Sequence, residues 1–225
     1  VATGSRTKSR QTKAEQARQT RRRITAAAAT LFVRDGFLTT TMAAIAAEAG
    51  VAVQTLYLSF GNKTAILKAA FDEAIAGDDD PVPIMDRPWM RDVLTNPDGA
   101  AAITVFIDNA SLVMERVSPL YGVVRAAAGD PEVGELLAHN KQVRHEGFSL
   151  VVEAVASRPG FTTELSVDDA VGVLYTLQSE ETYALMVTEH GWTSRQWRDW
   201  VRRLVLAELF PGSRAHPGGA GPGMG

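Results

Sequence analysis

The 225-residue chain contains no cysteine, which excludes a disulfide framework and any thiolate-held metal. Histidine is scarce: His139, His145, His190 and His216 are the whole set, and none has the HExxH spacing of a helical metal site. There is no GxSxG elbow and no glycine-rich phosphate loop after a strand pattern. Glu180 and Glu181 with His190 form a conceivable acid–base set, but a helix surface explains them more simply. The expectation is therefore a protein that is not an enzyme, with no cofactor and no metal. No uninterrupted apolar run approaches the ~18 residues of a membrane span. The opening stretch is polar and basic and lacks an apolar signal core, so a cytoplasmic location is expected. No convincing strand pattern or internal repeat is present.

What is present is helical periodicity and a lopsided charge. With 45% hydrophobic residues the chain can bury one substantial core or two modest ones. The net charge of -3 conceals a first seventy residues at +8 and a remainder at −11. A basic end on an acidic body suggests that only the first part meets a polyanion. Residues 1–13 read as a disordered basic arm. Its Arg6, Lys8, Arg10 and Lys13 either follow a phosphate backbone or form an idle tail.

The stretch Thr41 to Lys63 organises the rest. Thr41 can cap a short helix whose Met42, Ile45, Ala46 and Ala49 share a face. Gly50 suits a left-handed stop, and Val51 is an apolar plug in the turn. A second short helix from about Val53 to Ser59 points Leu56 and Phe60 inward. Val53, Gln54, Tyr57 and Leu58 are left to face outward. This is a helix-turn-helix pattern, the arrangement that presents a helix to a major groove. The competing reading is a plain helical hairpin with solvated Gln54 and Tyr57. Before this stretch, a helix from about Ala14 to Asp35 carries Ile24, Ala27, Ala28, Leu31 and Phe32 on one face and ends at Gly36. Arg18, Arg21, Arg22 and Arg23 crowd its first half and would suit a DNA backbone. After it, Asn62 caps a connecting helix over 63–77.

Residues 78–98 read as an acidic, proline-rich linker, with Trp89, Met90, Val93 and Leu94 docking a short helical turn onto the body. The span 99–210 reads as a helical body, and 211–225 as a flexible tail. Within the body the spacing predicts a helix from Gly99 to Val117. Ser118-Pro119 opens a short one to about Ala128, and Asp130-Pro131 opens a longer one to about Ser157. Two more follow, Val167 to Glu189 behind a Ser166 cap, and Ser194 to about Phe210 behind Thr193 or Ser194.

The ordered set Phe32, Gly36-Phe37, Thr40-Thr41-Met42, Ile45-Ala46, Ala49-Gly50-Val51, Thr55-Leu56-Tyr57, Phe60 and Lys63 resembles the head of TetR-type (tetracycline-repressor-like) transcriptional regulators. Residues 118–137 and 177–192 are similar to subsets of that family. The resemblance implies an all-α protein: a three-helix head over 14–62 and a C-terminal ligand and dimerisation body. It implies that Thr41 meets a phosphate, that Val53, Gln54 and Thr55 face base edges, and that Tyr57, Ser59 and Lys63 hold the backbone. Gln54 can bond an adenine edge bidentately, and Leu58 could touch a thymine methyl. Two departures stand out. Ala52 replaces a usual capping Ser or Thr, and Leu58-Ser59 replaces an aromatic followed by His.

The resemblance also implies that the last two helices pair between subunits, with Val171, Leu174, Leu185, Trp197, Val201, Leu204 and Val205 as candidate interface residues. The competing reading has these stripes close the monomer's own core, and a mixture of both is expected, because two antiparallel helices at the chain end cannot bury every apolar face alone. Polar residues embedded in apolar stripes mark a candidate ligand site: Asn109 beside Phe106, Asn140 and Arg144 beside Phe148, and Gln178 with Glu181 beside Leu174. They either line a cavity or pair with one another, Arg144 with Glu181 being the natural pair. Arg144 in a cavity would suit an acidic ligand. The expected partners are a double-stranded DNA operator, a small-molecule effector of unknown identity and a second copy of the chain, with no membrane. The expected function is a repressor released from its operator by that effector. The alternative is a DNA-anchored dimeric interaction protein without an inducer.

Overall fold

A computed structural model of the chain describes residues 13–77 and 82–214. Most of the basic arm, including Arg6, Lys8 and Arg10, lies outside the described residues, as does the tail from position 215. Among the described residues there is no strand. None of the helices is singly long and apolar enough to cross a membrane. The chain divides into two compact units at Ala70/Phe71, inside a helix rather than in the acidic linker.

The first unit is built on α1, Lys13–Asp35, followed by α2, Met42–Ala49, α3, Val53–Phe60, and the first half of α4, Lys63–Ala76. Ile24, Ala28, Leu31 and Phe32 of α1, Ile45, Ala46 and Ala49 of α2, Leu56 of α3, and Ile66 and Leu67 of α4 are buried, and α2 packs against α1 and α3. Each large side chain in that set contributes about 1.5–3 kcal/mol by leaving water. Alanines at the remaining contact positions let the short helices approach closely. The turns carry their own signals. Gly36 takes φ 85 and donates to the Phe32 carbonyl at 2.9 Å, closing α1. The Thr40 hydroxyl, buried behind it, donates to the Gly36 carbonyl at 2.8 Å.

The second unit holds a short 3-10 turn at Ile84–Asp86, then α5, Pro88–Thr95, α6, Gly99–Ala126, and α7, Pro131–Ala156. It continues with α8, Val167–Leu177, α9, Glu180–Tyr183, a π-helical stretch Ala184–Glu189, and α10, Ser194–Leu209. The long α6 packs against α5, α7 and α10, while α8 packs against α7 and α10. Its central layer is Ile103, Phe106 and Ile107 of α6, Val151, Val152 and Val155 of α7, Leu174 of α8, and Trp197, Val201 and Val205 of α10.

Three boundaries differ from the sequence reading. Residues 88–95 dock onto the body as expected, with Met90 and Val93 buried in its core, but as a full helix, α5, rather than a turn in a linker. Proline 119 does not start a helix but lies inside α6. The buried stripe Met114, Val117, Leu120, Tyr121 and Val124 runs straight through it, and this burial outweighs the lost amide hydrogen bond. The span 167–189 is not one helix. It breaks at Gln178, and Ser179 restarts it as a cap, its hydroxyl accepting from the Thr182 amide at 3.1 Å.

Candidate nucleic-acid interface and body cavity

In the head, Thr41 is the α2 cap the sequence implied, its hydroxyl oxygen accepting from the Ala44 amide at 3.1 Å. Its hydroxyl hydrogen is uninvolved in that bond and can reach an outside acceptor. At the other end Gly50 adopts φ 64, where a side chain would be strained. Helices α2 and α3 then meet at 106° across a three-residue turn, within the range of helix-turn-helix pairs.

That bend decides which side of α3 is buried. Leu56 is fully enclosed and Phe60 half-buried, whereas Val53, Gln54, Tyr57 and Leu58 are exposed, Leu58 by 82% and Tyr57 by 54%. Thr55 and Ser59 are half-buried at the edge of this face. Ala52 supplies no side-chain cap to α3. The first amides of α3 are therefore without the side-chain acceptor that a Ser or Thr would provide, and an anion can take its place. The exposed edge thus combines an amide, a phenol, hydroxyls and two apolar tips, a set able to read base edges and phosphates in a groove.

Three cations of the head bond its own backbone. Arg21 donates to the Ser59 carbonyl at 2.5 Å and lies 4.1 Å over the Phe60 ring. Arg23 donates to the Ala49 and Gly50 carbonyls. Each arginine therefore stabilises the negative C-terminal end of one helix-turn-helix helix. Lys63, which the resemblance implies holds the DNA backbone, also bonds the head's own backbone. Its ammonium donates to the Phe37 carbonyl at 2.6 Å and the Thr40 carbonyl at 2.9 Å, over the Phe37 ring. These side chains lock the head together, a role that their charge alone does not announce.

In the body, a cavity of about 520 Å³ is lined by Phe71 and Ile75 of α4, Trp89 and Met90 of α5, Phe106, Val113 and Val117 of α6, and Asn140, Arg144 and Phe148 of α7. Phe106 and Phe148 meet edge to face at 5.2 Å. Four of the six sequence-assigned ligand residues, Phe106, Asn140, Arg144 and Phe148, are thus brought to one wall. Asn109 and Gln178 are not among the lining residues. Asn109 turns its amide back onto the Val105 carbonyl at 2.9 Å, and Gln178 is fully buried beside the Ser111 hydroxyl. The sequence missed α4 and α5 as walls, because Phe71, Ile75 and Trp89 look like ordinary helix-face residues.

Arg144 pairs with Glu180 and not with Glu181, and its guanidinium lies 4.1 Å over the Tyr175 ring. The break at Gln178 rotates the following turn, so that Glu181 instead accepts from the Tyr121 hydroxyl at 2.8 Å. Burial acts to raise the Glu181 carboxyl. The Tyr121 hydrogen bond and the nearby Arg144 and Lys141 charges outweigh it and hold the group below the usual glutamate range. The Tyr121 phenol is pushed well above its ordinary value, first by burial and then by that same carboxylate.

The seven candidate interface residues divide between core and surface. Val171, Leu174, Trp197, Val201 and Val205 are buried in the subunit's own core. Trp197 donates its indole N–H to Thr182 at 3.2 Å and stacks edge-on against Tyr183. Most of this stripe thus closes the subunit's own core. Leu185 remains 55% exposed and Leu204 half-buried, so only these two of the seven stay available at the surface.

Residues 24–70 match the family model described as bacterial regulatory proteins, tetR family. No curated protein sequence matches the chain. Among solved structures, the chain is similar to NalD of Pseudomonas aeruginosa, described as the secondary repressor of the MexAB-OprM multidrug efflux pump. That likeness has 16% identity and TM-score 0.68, over 88% of this chain and 99% of NalD. The chain is also similar to the regulator FadR of Bacillus subtilis in complex with stearoyl-CoA, at 18% identity and TM-score 0.67, over 83% and 98% of the two chains. A putative tetR-family regulator of Mesorhizobium loti superposes with TM-score 0.58 at 16% identity, over 89% and 100%. Residues 24–70 thus carry the tetR-family signature on the helix-turn-helix head, and the chain shares the fold of these solved structures.

Proposed function

We propose that the protein is a dimeric transcriptional repressor that binds a DNA operator and is released from it by a small molecule held in the body. One observation carries this reading: Phe71 and Ile75, which line the body cavity, lie on the same continuous helix, α4, whose first half carries the head residues Ile66 and Leu67. A ligand that favours one setting of α4 over another changes the free energy of the head's DNA-bound arrangement by its difference in affinity for the two. NalD is described as a repressor, and FadR was crystallised with an acyl-CoA, which supports a repressor with a ligand-responsive body. The alternative, an inducer-free interaction protein, calls for a filled core where this chain has open volume.

Gln54 and Tyr57 would read and hold the groove from α3, with Val53, Thr55 and Ser59 at their flanks and Thr41 on a phosphate. Leu185 and Leu204 belong to the surface through which two copies would pair. Selection of bound duplexes from a random pool by the full chain tests the reading. The expected product is a twofold-symmetric site with half-sites about one helical turn apart, bound by a dimer. A monomer in sedimentation that shows no preference among duplexes at any ionic strength would overturn it.

A further inference from the structure

The body cavity has a chemical character beyond its size. Among the described residues its wall is almost wholly apolar, and four of them carry the polarity: Asn140, Arg144, Glu146 and Glu180. Glu180 already neutralises Arg144 in a nearly buried ion pair. Glu146, on the exposed side, accepts from Gln142 at 2.9 Å. The lining therefore offers one guanidinium whose charge is taken and two carboxylates, so an anion entering it meets no free cation.

A second observation concerns hydrogen bonds. Asn140 Nδ2 and Arg144 Nε are buried without a partner. Both atoms are donors, and their residues stand one turn apart on α7, hence side by side. Buried donors left unsatisfied are costly, and an acceptor atom supplied from outside removes that cost. Arg144 cannot turn its head toward an incoming carboxylate without abandoning Glu180 and its place over Tyr175.

Resting on the reading of the cavity as the effector site, we propose that its ligand is an uncharged, mostly apolar molecule with one acceptor oxygen, which accepts from Asn140 and Arg144. Glu180 is the internal counter-ion that makes the site reject carboxylates. This reverses the acidic ligand that Arg144 suggested in the sequence, and it separates this cavity from one that holds an acyl-CoA anion.

A matched set of probes with chains of similar length tests the proposal: methyl nonyl ketone, decanoate and decyltrimethylammonium, titrated calorimetrically into the dimer at neutral pH. The ketone is expected to bind roughly tenfold or more tightly than decanoate, a gap of about 1.4 kcal/mol. Asn140→Leu keeps the volume and removes one donor, and should weaken the ketone several-fold. Glu180→Gln frees the Arg144 charge and should bring decanoate level with the ketone or ahead of it. If Glu180→Gln does not fold, the ranking in the unaltered protein and the Asn140→Leu result still decide. Decanoate binding as tightly as the ketone in the unaltered protein overturns the ligand class while leaving an effector site in place. Silence toward all three probes, in a preparation that still binds its selected duplex, overturns the cavity as the effector site and the proposal with it.

Discussion

Gln54 and Lys63 are both polar residues of the head, yet their surroundings give them opposite duties. Gln54 is exposed on α3. Gln54→Ala should leave the melting temperature unchanged and reduce discrimination at one base pair by about 1–3 kcal/mol, read by competition between single-base operator variants. Lys63 ties two carbonyls and an aromatic ring at the start of α4. Lys63→Met should lower stability by about 1–3 kcal/mol in a urea melt, the worth of hydrogen bonds from a charged group. A normal melt with weaker DNA binding would return Lys63 to the phosphate backbone. The Tyr121–Glu181 contact makes a third test at this scale. Glu181 is lowered in the folded chain, so between its folded and unfolded values the unfolded chain binds more protons. Its contribution is present above the ordinary glutamate range and lost as pH falls through and below it. Tyr121 is raised, so its contribution is intact below the ordinary tyrosine range and lost as pH climbs beyond it. Tyr121→Phe should flatten both flanks of a stability–pH curve, and identical curves would show that the contact is energetically silent.

At the scale of the element, α6 shows burial overruling a strong local signal. Ser118-Pro119 is a good helix start, and the chain ignores it because five buried side chains continue the stripe across it. The proline then persists as a missing hydrogen bond. Pro119→Ala should therefore raise stability by about 1–3 kcal/mol in a thermal or urea melt, less than the full cost of an interior proline, because alanine also loosens the unfolded chain. An unchanged midpoint would mean that α6 already accommodates the ring without strain. The break at Gln178–Ser179 is the complementary case, an interruption in a stripe that periodicity reads as continuous. It is visible afterwards in the Ser179 cap, but a serine three residues before a threonine is too common to mark a break by itself.

For the whole molecule the charge asymmetry is the governing fact. A +8 first stretch and a −11 remainder predict that operator affinity falls linearly with the logarithm of salt concentration, with a slope near −0.9 per phosphate neutralised. Fluorescence anisotropy across a salt series checks this. An affinity indifferent to salt would mean that the arginines of α1 and the basic arm touch no phosphate. Two of those arginines, Arg21 and Arg23, already bond backbone carbonyls, so replacing them should cost stability as well as slope.

The helical class, the helix-turn-helix with its cap and glycine stop, and four of the cavity's lining residues are legible in the residues alone. These features are local or periodic: a hydroxyl before a helix, a residue that tolerates positive φ, and apolar side chains every third or fourth position are written within a few residues of one another. Which partner each stripe and charge meets follows from the folded chain instead. Val171, Trp197 and Val205 could have faced a second subunit as well as their own core, and Arg144 could have met Glu181 as well as Glu180. Periodicity specifies that a face will be buried, but the opposing surface comes from residues far along the chain. One break at Gln178 is enough to rotate the choice.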